Sequence, residues 1–320
     1  MLKFGITDVA GLARPRTIFG GYRDVAVPVL WRALQADPER YGAACAAAFN
    51  RLRMGNGVYK YTAPHRFDDV APEVDALLAE RLGKGPLSVH DLGVSDAVTS
   101  VELFAALGVR WPDLRFTMSD WFDAVYVVTP DGGPWSAVFD AELRLIQFFG
   151  RGFVLTPQTP PRKWHPVNRM VLAQLRRTFE PAAQDAARAL SREFDPPRAP
   201  VGWSAERVPL VCRAALELVR KDPRATFVRH SVLDPMPAKY RFVRAMNVLN
   251  RGYFGEADLR RAIGHIRDAL EPGGVFLVGR NVDEEDGRTS ATAFLRTPAG
   301  FERLRDFRGG SEIEIGRAHV

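Results

Sequence analysis

The chain has 320 residues, 46% hydrophobic and 26% charged, with a net charge of +6 and a pI near 9.5. This length carries one large elaborated domain or two domains, and an arginine-dominated mild charge reads as coding bias as easily as a nucleic-acid footprint, so nucleic acid is not an expected partner. Two cysteines, Cys45 and Cys212, exclude a disulfide framework or thiolate zinc site and fit a reducing cytoplasm; the six histidines show no paired metal spacing, Met1–Ala10 lacks the apolar stretch of a signal peptide, and no apolar run reaches the roughly 18 residues of a membrane span.

Residues 1–85 read as a helical extension. Apolar residues recur at helical spacing through VPVLWRAL and YGAACAAAFNRL, and Asp37-Pro38 starts the second of these helices. The segment from Asn56 to Asp69 carries a turn, Tyr59 and Tyr61, then His65 and Arg66. Tyr59, Tyr61 and Arg66 either line a substrate pocket or pack the extension onto the core. A helix from about Pro72 to Leu82 is closed by Gly83 and Gly85.

The chain is organised around residues 86–97, PLSVHDLGVSDA. A short apolar strand, Leu87 to His90, turns sharply through Asp91, Leu92 and Gly93. A helical pattern begins at once, with Val98, Val101, Leu103, Phe104 and Leu107 on its apolar face. Strand, glycine turn and helix form the opening unit of a nucleotide-binding α/β sheet, or else an ordinary βα turn. His90 reads as a satisfied strand-end residue. Ser95 and Ala97 stand where a dinucleotide fingerprint has glycines, and Asp91 and Asp96 would repel a pyrophosphate. The sulfonium and ammonium of S-adenosylmethionine suit acidic groups there. Leu114 to Ser119 is the second strand and ends on Asp120, where an acidic residue receives a ribose diol or serves as a turn or helix cap.

Residues 124–203 then interrupt the pattern. Val125 to Thr129 meets the turn signal Pro130-Asp131-Gly132-Gly133, and three further short apolar runs predict a small β excursion to 156. A basic amphipathic helix comes next, about Pro166 to Phe179, with Val167, Met170, Val171, Leu175 and Phe179 on one side and Lys163 and Trp164 just before it. Segment 162–179 is expected to serve as a lid or packing helix, or to touch an anionic membrane surface peripherally. Asp195 to Trp203 is a proline-rich linker.

Core periodicity resumes in 204–313. VPLVCRAALELVRKD is either a helix or a short strand and a helix. ATFVRHSVLD is a strand ending near Ser231–Asp234, and Arg241 to Asn250 contains the next. A helix with Leu259, Ile263, Ile266 and Leu270 on one face leads through Gly273-Gly274 into the buried strand Val275–Arg280.

With the 86–97 turn, this order of elements resembles the class I S-adenosylmethionine-dependent methyltransferases. Pro272-Gly273-Gly274 before a buried strand, and an asparagine at the end of the strand before the long helix, are part of the likeness. The resemblance covers 86–123 and 204–313, roughly half the chain. It implies a Rossmann-like, doubly wound, mostly parallel α/β sheet with a helical N-terminal extension and an inserted β-hairpin and helix segment. It also implies S-adenosylmethionine as cofactor. Asp91, Gly93, Val94 and Ser95 would face its methionine part, Asp120 and Trp121 its ribose, and Ser231 and Val232 its adenine edge. Asn247 and Val248 would lie beside the transferred methyl. A serine at 231 departs from the family's acidic residue, with Asp234 a substitute. Tyr59, His65, Asn247 and Tyr253 are the catalytic candidates on the side of an unidentified small-molecule or protein acceptor; no metal is implied.

NVLNRGYF, Asn247 to Phe254, is similar to the strand end of the chemotaxis-receptor glutamate methyltransferases, and a carboxylate acceptor needs no base. Their aromatic-arginine and Gly-Glu-Glu-Pro signatures are absent. A non-catalytic binding or scaffold protein on a methyltransferase core is another reading, and a nicotinamide enzyme a more distant one. Cores of this family end in a sixth strand and an antiparallel seventh. Phe301–Phe307 is expected to be the sixth, and Glu312-Ile313 to begin the seventh. Residues 314–320, EIGRAHV, match the translation of a common sequencing adapter, so a foreign tail replacing the native end is expected there.

Overall fold

The computed structural model describes residues 4–14, 23–60, 62–158, 165–192, 200–281, 288–313 and 315. Tyr61, Lys163, Trp164, most of the proline-rich linker and all of the expected foreign tail except Ile315 lie outside them. In chain order come helices α1 (Val27–Ala36), α2 (Pro38–Phe49) and α3 (Ala71–Leu82), strand β1 (Ser88–Leu92), helix α4 (Val98–Arg110) and strand β2 (Arg115–Asp120). Strands β3 (Ala124–Pro130), β4 (Ser136–Phe139), β5 (Leu145–Gly150) and β6 (Phe153–Leu155) precede helices α5 (Pro166–Thr178) and α6 (Glu180–Arg192). Strand β7 (Trp203–Pro209), helix α7 (Arg213–Lys221), strands β8 (Ala225–Arg229) and β9 (Tyr240–Met246), helix α8 (Glu256–Ala269) and strands β10 (Leu270–Asn281), β11 (Thr289–Thr297) and β12 (Gly300–Phe307) complete the series. No described helix is long and apolar enough to cross a membrane.

Two compact units result: Met1–Tyr61 with Phe122–Leu210, and Thr62–Trp121 with Val211–Val320. The first holds a five-stranded antiparallel sheet in the order β6-β5-β4-β3-β7. The ambiguous run after the linker is therefore a strand and then a helix, and its strand, β7, pairs with β3 from Ala124–Pro209 to Pro130–Trp203. Ala183, Ala186 and Ala187 of α6 pack with Leu175 against Tyr126, Val128, Phe139 and Phe148 of the sheet. Val171 and Phe179 join that core, whereas Val167 and Met170 remain exposed. Sequence spacing records which face of α5 is apolar but not how far along the helix its partner extends. The N-terminal residues are bound into this sheet by buried polar groups: Gln147 donates to the Val25 carbonyl and accepts from Val27 N–H. Asp140, fully buried, accepts from the backbone N–H of Gly55, Glu142 and Arg144. Buried backbone donors require such partners, which is why a loop segment anchors here.

The second unit is an α/β layer structure with a seven-stranded sheet in the order β12-β11-β10-β9-β1-β2-β8. Strands β8, β2, β1, β9 and β10 are parallel, and β11 and β12 are added antiparallel. Numbered within the parallel part, the order is 3-2-1-4-5, the doubly wound arrangement with its switch point beside β1. Helices α3, α4 and α7 cover one face through Val74, Leu77, Phe104, Leu107 and Ala215; α8 covers the other through Leu259, Ile263 and Ile266. Strand β1 is consequently buried on both sides from Val89 to Leu92, its polar His90 and Asp91 included. The helix α8 carries Glu256 and Asp258 in its first turn and Arg267 in its last, the charge order that a helix dipole favours.

The C-terminal end departs from expectation. Phe301–Phe307 falls in β12 as expected, but the antiparallel strand next to β10 is β11, which precedes β12 in the chain. Glu312-Ile313 forms no strand; Ile313 is instead buried in the core under α8, and Ile315 packs against the same cluster. The sequence TSATAFLRT pairs along β10 from Val275–Leu295 to Asn281–Thr289, so the fifth strand's free edge is already covered before β12 begins.

Candidate functional site

The residues assigned by sequence to the cofactor follow the C-terminal ends of β1, β2, β8 and β9. Gly93 succeeds β1 with φ +64°, and the next residues include Ser95 at φ +58° and Ala97 at φ +67°. Three left-handed positions in five residues fold the turn tightly before α4. The bare Cα of Gly93 permits a close approach, and the group that approaches is Val248: a Cβ at position 93 would lie 2.6 Å from the Val248 Cβ and Cγ2. Val94 N–H donates to the Ser119 carbonyl, and Ser95 N–H donates to the Asp120 carboxylate at 2.8 Å. Val248 thus abuts the turn at Gly93, and Asp120 is tied to the same turn at Ser95.

Asp91 is engaged elsewhere. It is 2% exposed, and it accepts from Arg244 Nε at 2.8 Å and Nη2 at 2.6 Å, in the two-bond geometry of a guanidinium–carboxylate pair. Ser100 Oγ donates to the same carboxylate at 2.6 Å. Arg244 lies opposite Asp91 in the β1–β9 register, on the same face of the sheet. Sequence reasoning missed this arginine, although a signal exists: an arginine in the middle of an otherwise apolar parallel strand needs a buried acidic partner on a neighbouring strand.

Trp121 lies beneath the guanidinium of Arg229, 4.4 Å from the ring centroid. Ser231 Oγ accepts from Leu233 N–H within a turn closed by Asp234 N–H to the Ser231 carbonyl, and Val232 is buried in the core under α8. Asn247 has φ +61° and exchanges two hydrogen bonds with Asn281, donating to its side-chain oxygen at 3.0 Å and accepting from its backbone N–H at 2.9 Å. Its amide therefore positions the end of β10. Tyr253 is 45% exposed in a turn organised by Asn250. His65 is exposed, with its Nδ1 3.0 Å from Asp68. Tyr59 belongs to the first unit, where Arg53 stacks on its half-exposed ring. No described contact joins His65, Asn247 and Tyr253 into a proton-transfer chain. Cys212 is no nucleophile either: burial, with Asp96 nearby, pushes its thiol up to about 12.

His90 is completely buried on β1, with Nε2 2.9 Å from Ser119 Oγ and its ring packed on Tyr240. Its Nδ1 has no partner. Burial, and the neighbouring His230, lower its pKa from 6.5 to about 3. Native His90 is thus neutral where the unfolded chain takes up a proton. The stability it contributes is complete above pH 6.5 and is lost as pH falls from there toward 3. Between pH 7 and pH 5 the loss is about 2 kcal/mol for this one proton. Urea midpoints at the two pH values are expected to differ accordingly in the wild type and to converge in His90→Gln.

Two halves of the candidate cofactor site differ in their fit to S-adenosylmethionine. At the turn proposed for the ribose, Asp120 is 8% exposed at the tip of β2 and its carboxylate accepts from the Ser95 N–H. At the methionine end, Arg244 neutralises Asp91 and Val248 covers Gly93, so a cofactor there requires Val248 to move.

No protein-family model and no curated protein matches the sequence. Among solved structures, the N-methyltransferase NodS from Bradyrhizobium japonicum, in complex with S-adenosyl-L-homocysteine, is similar over 68% of this chain and 65% of its own, at 14% identity and a TM-score of 0.30. An O-methyltransferase family protein from Burkholderia thailandensis is similar over 80% of this chain and 46% of its own, at 15% identity and a TM-score of 0.29. An S-adenosylmethionine-dependent methyltransferase from Clostridium acetobutylicum is similar over 77% of this chain and 76% of its own, at 8% identity and a TM-score of 0.32. The chain spans less than two thirds of the length of the first two. Strand order and direction in the second unit give a Rossmann-like, doubly wound core directly.

Proposed function

We propose that the protein is an S-adenosylmethionine-dependent methyltransferase acting on an unidentified acceptor. The observation that carries this reading is the placement of Asp120 against the Gly93–Ser95 turn at the switch point of a 3-2-1-4-5 parallel sheet. Asp120 and Trp121 would hold the ribose, Ser231 and Val232 would border the adenine, and the Gly93–Ser95 backbone with Asn247 and Val248 would flank the methionine and methyl group. When bound, the cofactor supplies an already activated methyl group. What remains for the chain is alignment and water exclusion, with a base needed only for an acceptor that must lose a proton. The paired amides of Asn247 and Asn281 suit such positioning. Nothing in the site favours a glutamate carboxylate over other acceptors.

One specific observation favours a second reading, a non-catalytic binding protein on the same core. Asp91 is fully matched by Arg244 and Ser100, which removes the free acidic group that the cofactor's ammonium would meet. Calorimetry with S-adenosylhomocysteine separates the two. The methyltransferase reading expects binding by the wild type and a loss of about tenfold or more in Asp120→Asn, the size of a hydrogen bond to a charged group. Thermal unfolding of the variant checks that the fold persists. Absence of binding by a folded wild type would leave the scaffold reading standing alone.

A further inference from the structure

The net charge of +6 lies wholly in the first unit; in the second, acidic side chains slightly outnumber basic ones. A uniform coding bias would spread that excess over both units. Charge confined to one of them points to an anionic partner there. The same unit exposes two neighbouring apolar side chains on one helix: on α5, Val167 is 45% and Met170 72% exposed.

Helical spacing decides how the sides of α5 are used. Val171, Leu172, Leu175 and Phe179 pack into the core between the helices and the sheet. At about 100° per residue, Met170 and Arg177 project opposite to that stripe, with Val167 beside Met170 and Arg169 on the other flank. Arg169, Arg176 and Arg177 are all exposed. Arg176 lies 3.6 Å from Glu180, whereas Arg169 and Arg177 form no ion pair with the described residues. The outer side therefore combines two apolar side chains with two cations that lack a counter-charge.

Size and chemistry select the partner. A stable protein interface covers about 800 Å² on each side, far more than two side chains on adjacent turns supply. Nucleic acid would engage the arginines, but its phosphate backbone offers nothing to Val167 and Met170. An anionic lipid surface uses both features, because shallow insertion of a few apolar groups adds to the attraction between arginine and the headgroups.

We propose that the outer side of α5 docks the first unit on an anionic lipid surface. Val167 and Met170 reach into the boundary between headgroups and acyl chains, and Arg169 and Arg177 lie against the headgroup charges. The helix stays packed on its sheet, since the stripe it buries there is the opposite one. This docking is independent of the proposed methyl transfer.

Co-sedimentation of the full chain with lipid vesicles tests it, using phosphatidylcholine alone and phosphatidylcholine with about 30% phosphatidylserine. Partition is expected on the anionic vesicles only, and it should fall about tenfold or more between low salt and about 0.5 M salt. Met170→Gln, close in volume at an exposed position, should lower partition about fivefold with an unchanged melting temperature. Arg169→Gln combined with Arg177→Gln should lower it about tenfold or more, at roughly fivefold per arginine. Arg220→Gln combined with Arg305→Gln removes the same charge from exposed positions of the second unit and should leave partition within about twofold. No partition on anionic vesicles at low salt, or equal partition on both kinds, would overturn the proposal. So would an unchanged Met170→Gln, or equal losses in the two double-arginine variants, which would reduce the attraction to overall charge. A dimer in sedimentation velocity that dissociates in Met170→Gln, with no vesicle binding, would assign this side of α5 to a second copy of the chain instead.

Discussion

Replacing Arg244 by methionine is expected to destabilise the second unit by about 3–5 kcal/mol. The substitution is close in volume, so little of this comes from packing. It comes from Asp91, which is 2% exposed and would keep only Ser100 Oγ as a strong donor once the two guanidinium bonds are gone. An uncompensated buried carboxylate either bears the desolvation cost or takes up a proton. Asp91→Asn alone should cost less, because arginine retains the Thr99 carbonyl and one amide oxygen as acceptors. The double variant Asp91→Asn with Arg244→Met should recover most of the loss, since removing both members of a buried ion pair is often nearly neutral. Urea unfolding monitored in the α/β unit gives the double-mutant cycle directly. If the two single losses simply add in the double variant, the pair is not coupled and Arg244 is not what stabilises the Asp91 charge.

The same pair shows where local pattern stops being informative. Strand β10 was legible because burial on both faces forces the continuous apolar run Val275–Val278, and α8 because its apolar residues recur at helical spacing. The Gly93 turn and Asp120 were legible because their positions relative to strand ends are fixed by the βαβ unit. What filled the turn was not. That Val248 covers Gly93, and that Arg244 faces Asp91, depends on parallel pairing between strands some 150 positions apart in the chain, as the Asp91–Arg244 separation of 153 shows. Hydrophobic periodicity is local and contains no register. The association of the N-terminal residues with β5 and β6 was hidden for the same reason. Val27, Val29 and Leu30 read as an apolar helical pattern in either context, and only the polar Gln147, buried on β5, hints that a backbone from elsewhere must satisfy it. At the C terminus the expected strand pair was displaced because family analogy specified an order of strands. The residues themselves, TSATAFLRT, met the requirement for a partner to β10 earlier in the chain.

Replacing Gly93 by valine is expected to cost about 3–5 kcal/mol, from two separable sources. At φ +64° a β-branched residue is strained, on the order of 1–2 kcal/mol. The remainder is overlap, because the new Cβ meets both the Cβ and a Cγ of Val248 at 2.6 Å. Gly93→Ala carries the strain and the Cβ overlap without the extra branches and should lie between. The partner substitution Val248→Ala tests what the contact does for function. It leaves the left-handed turn intact and opens room above Gly93 where the proposed methionine end of the cofactor would lie. Under the methyltransferase reading Val248 must be displaced on binding, so Val248→Ala should bind S-adenosylhomocysteine several-fold more tightly than the wild type, despite a stability loss of about 1–2 kcal/mol for the half-buried valine. Under the scaffold reading the space above Gly93 receives no ligand, and the substitution should leave calorimetric titrations as flat as before. Weaker binding in Val248→Ala than in the wild type would contradict the displacement argument, because it would mean that the valine methyls contact the bound cofactor in place.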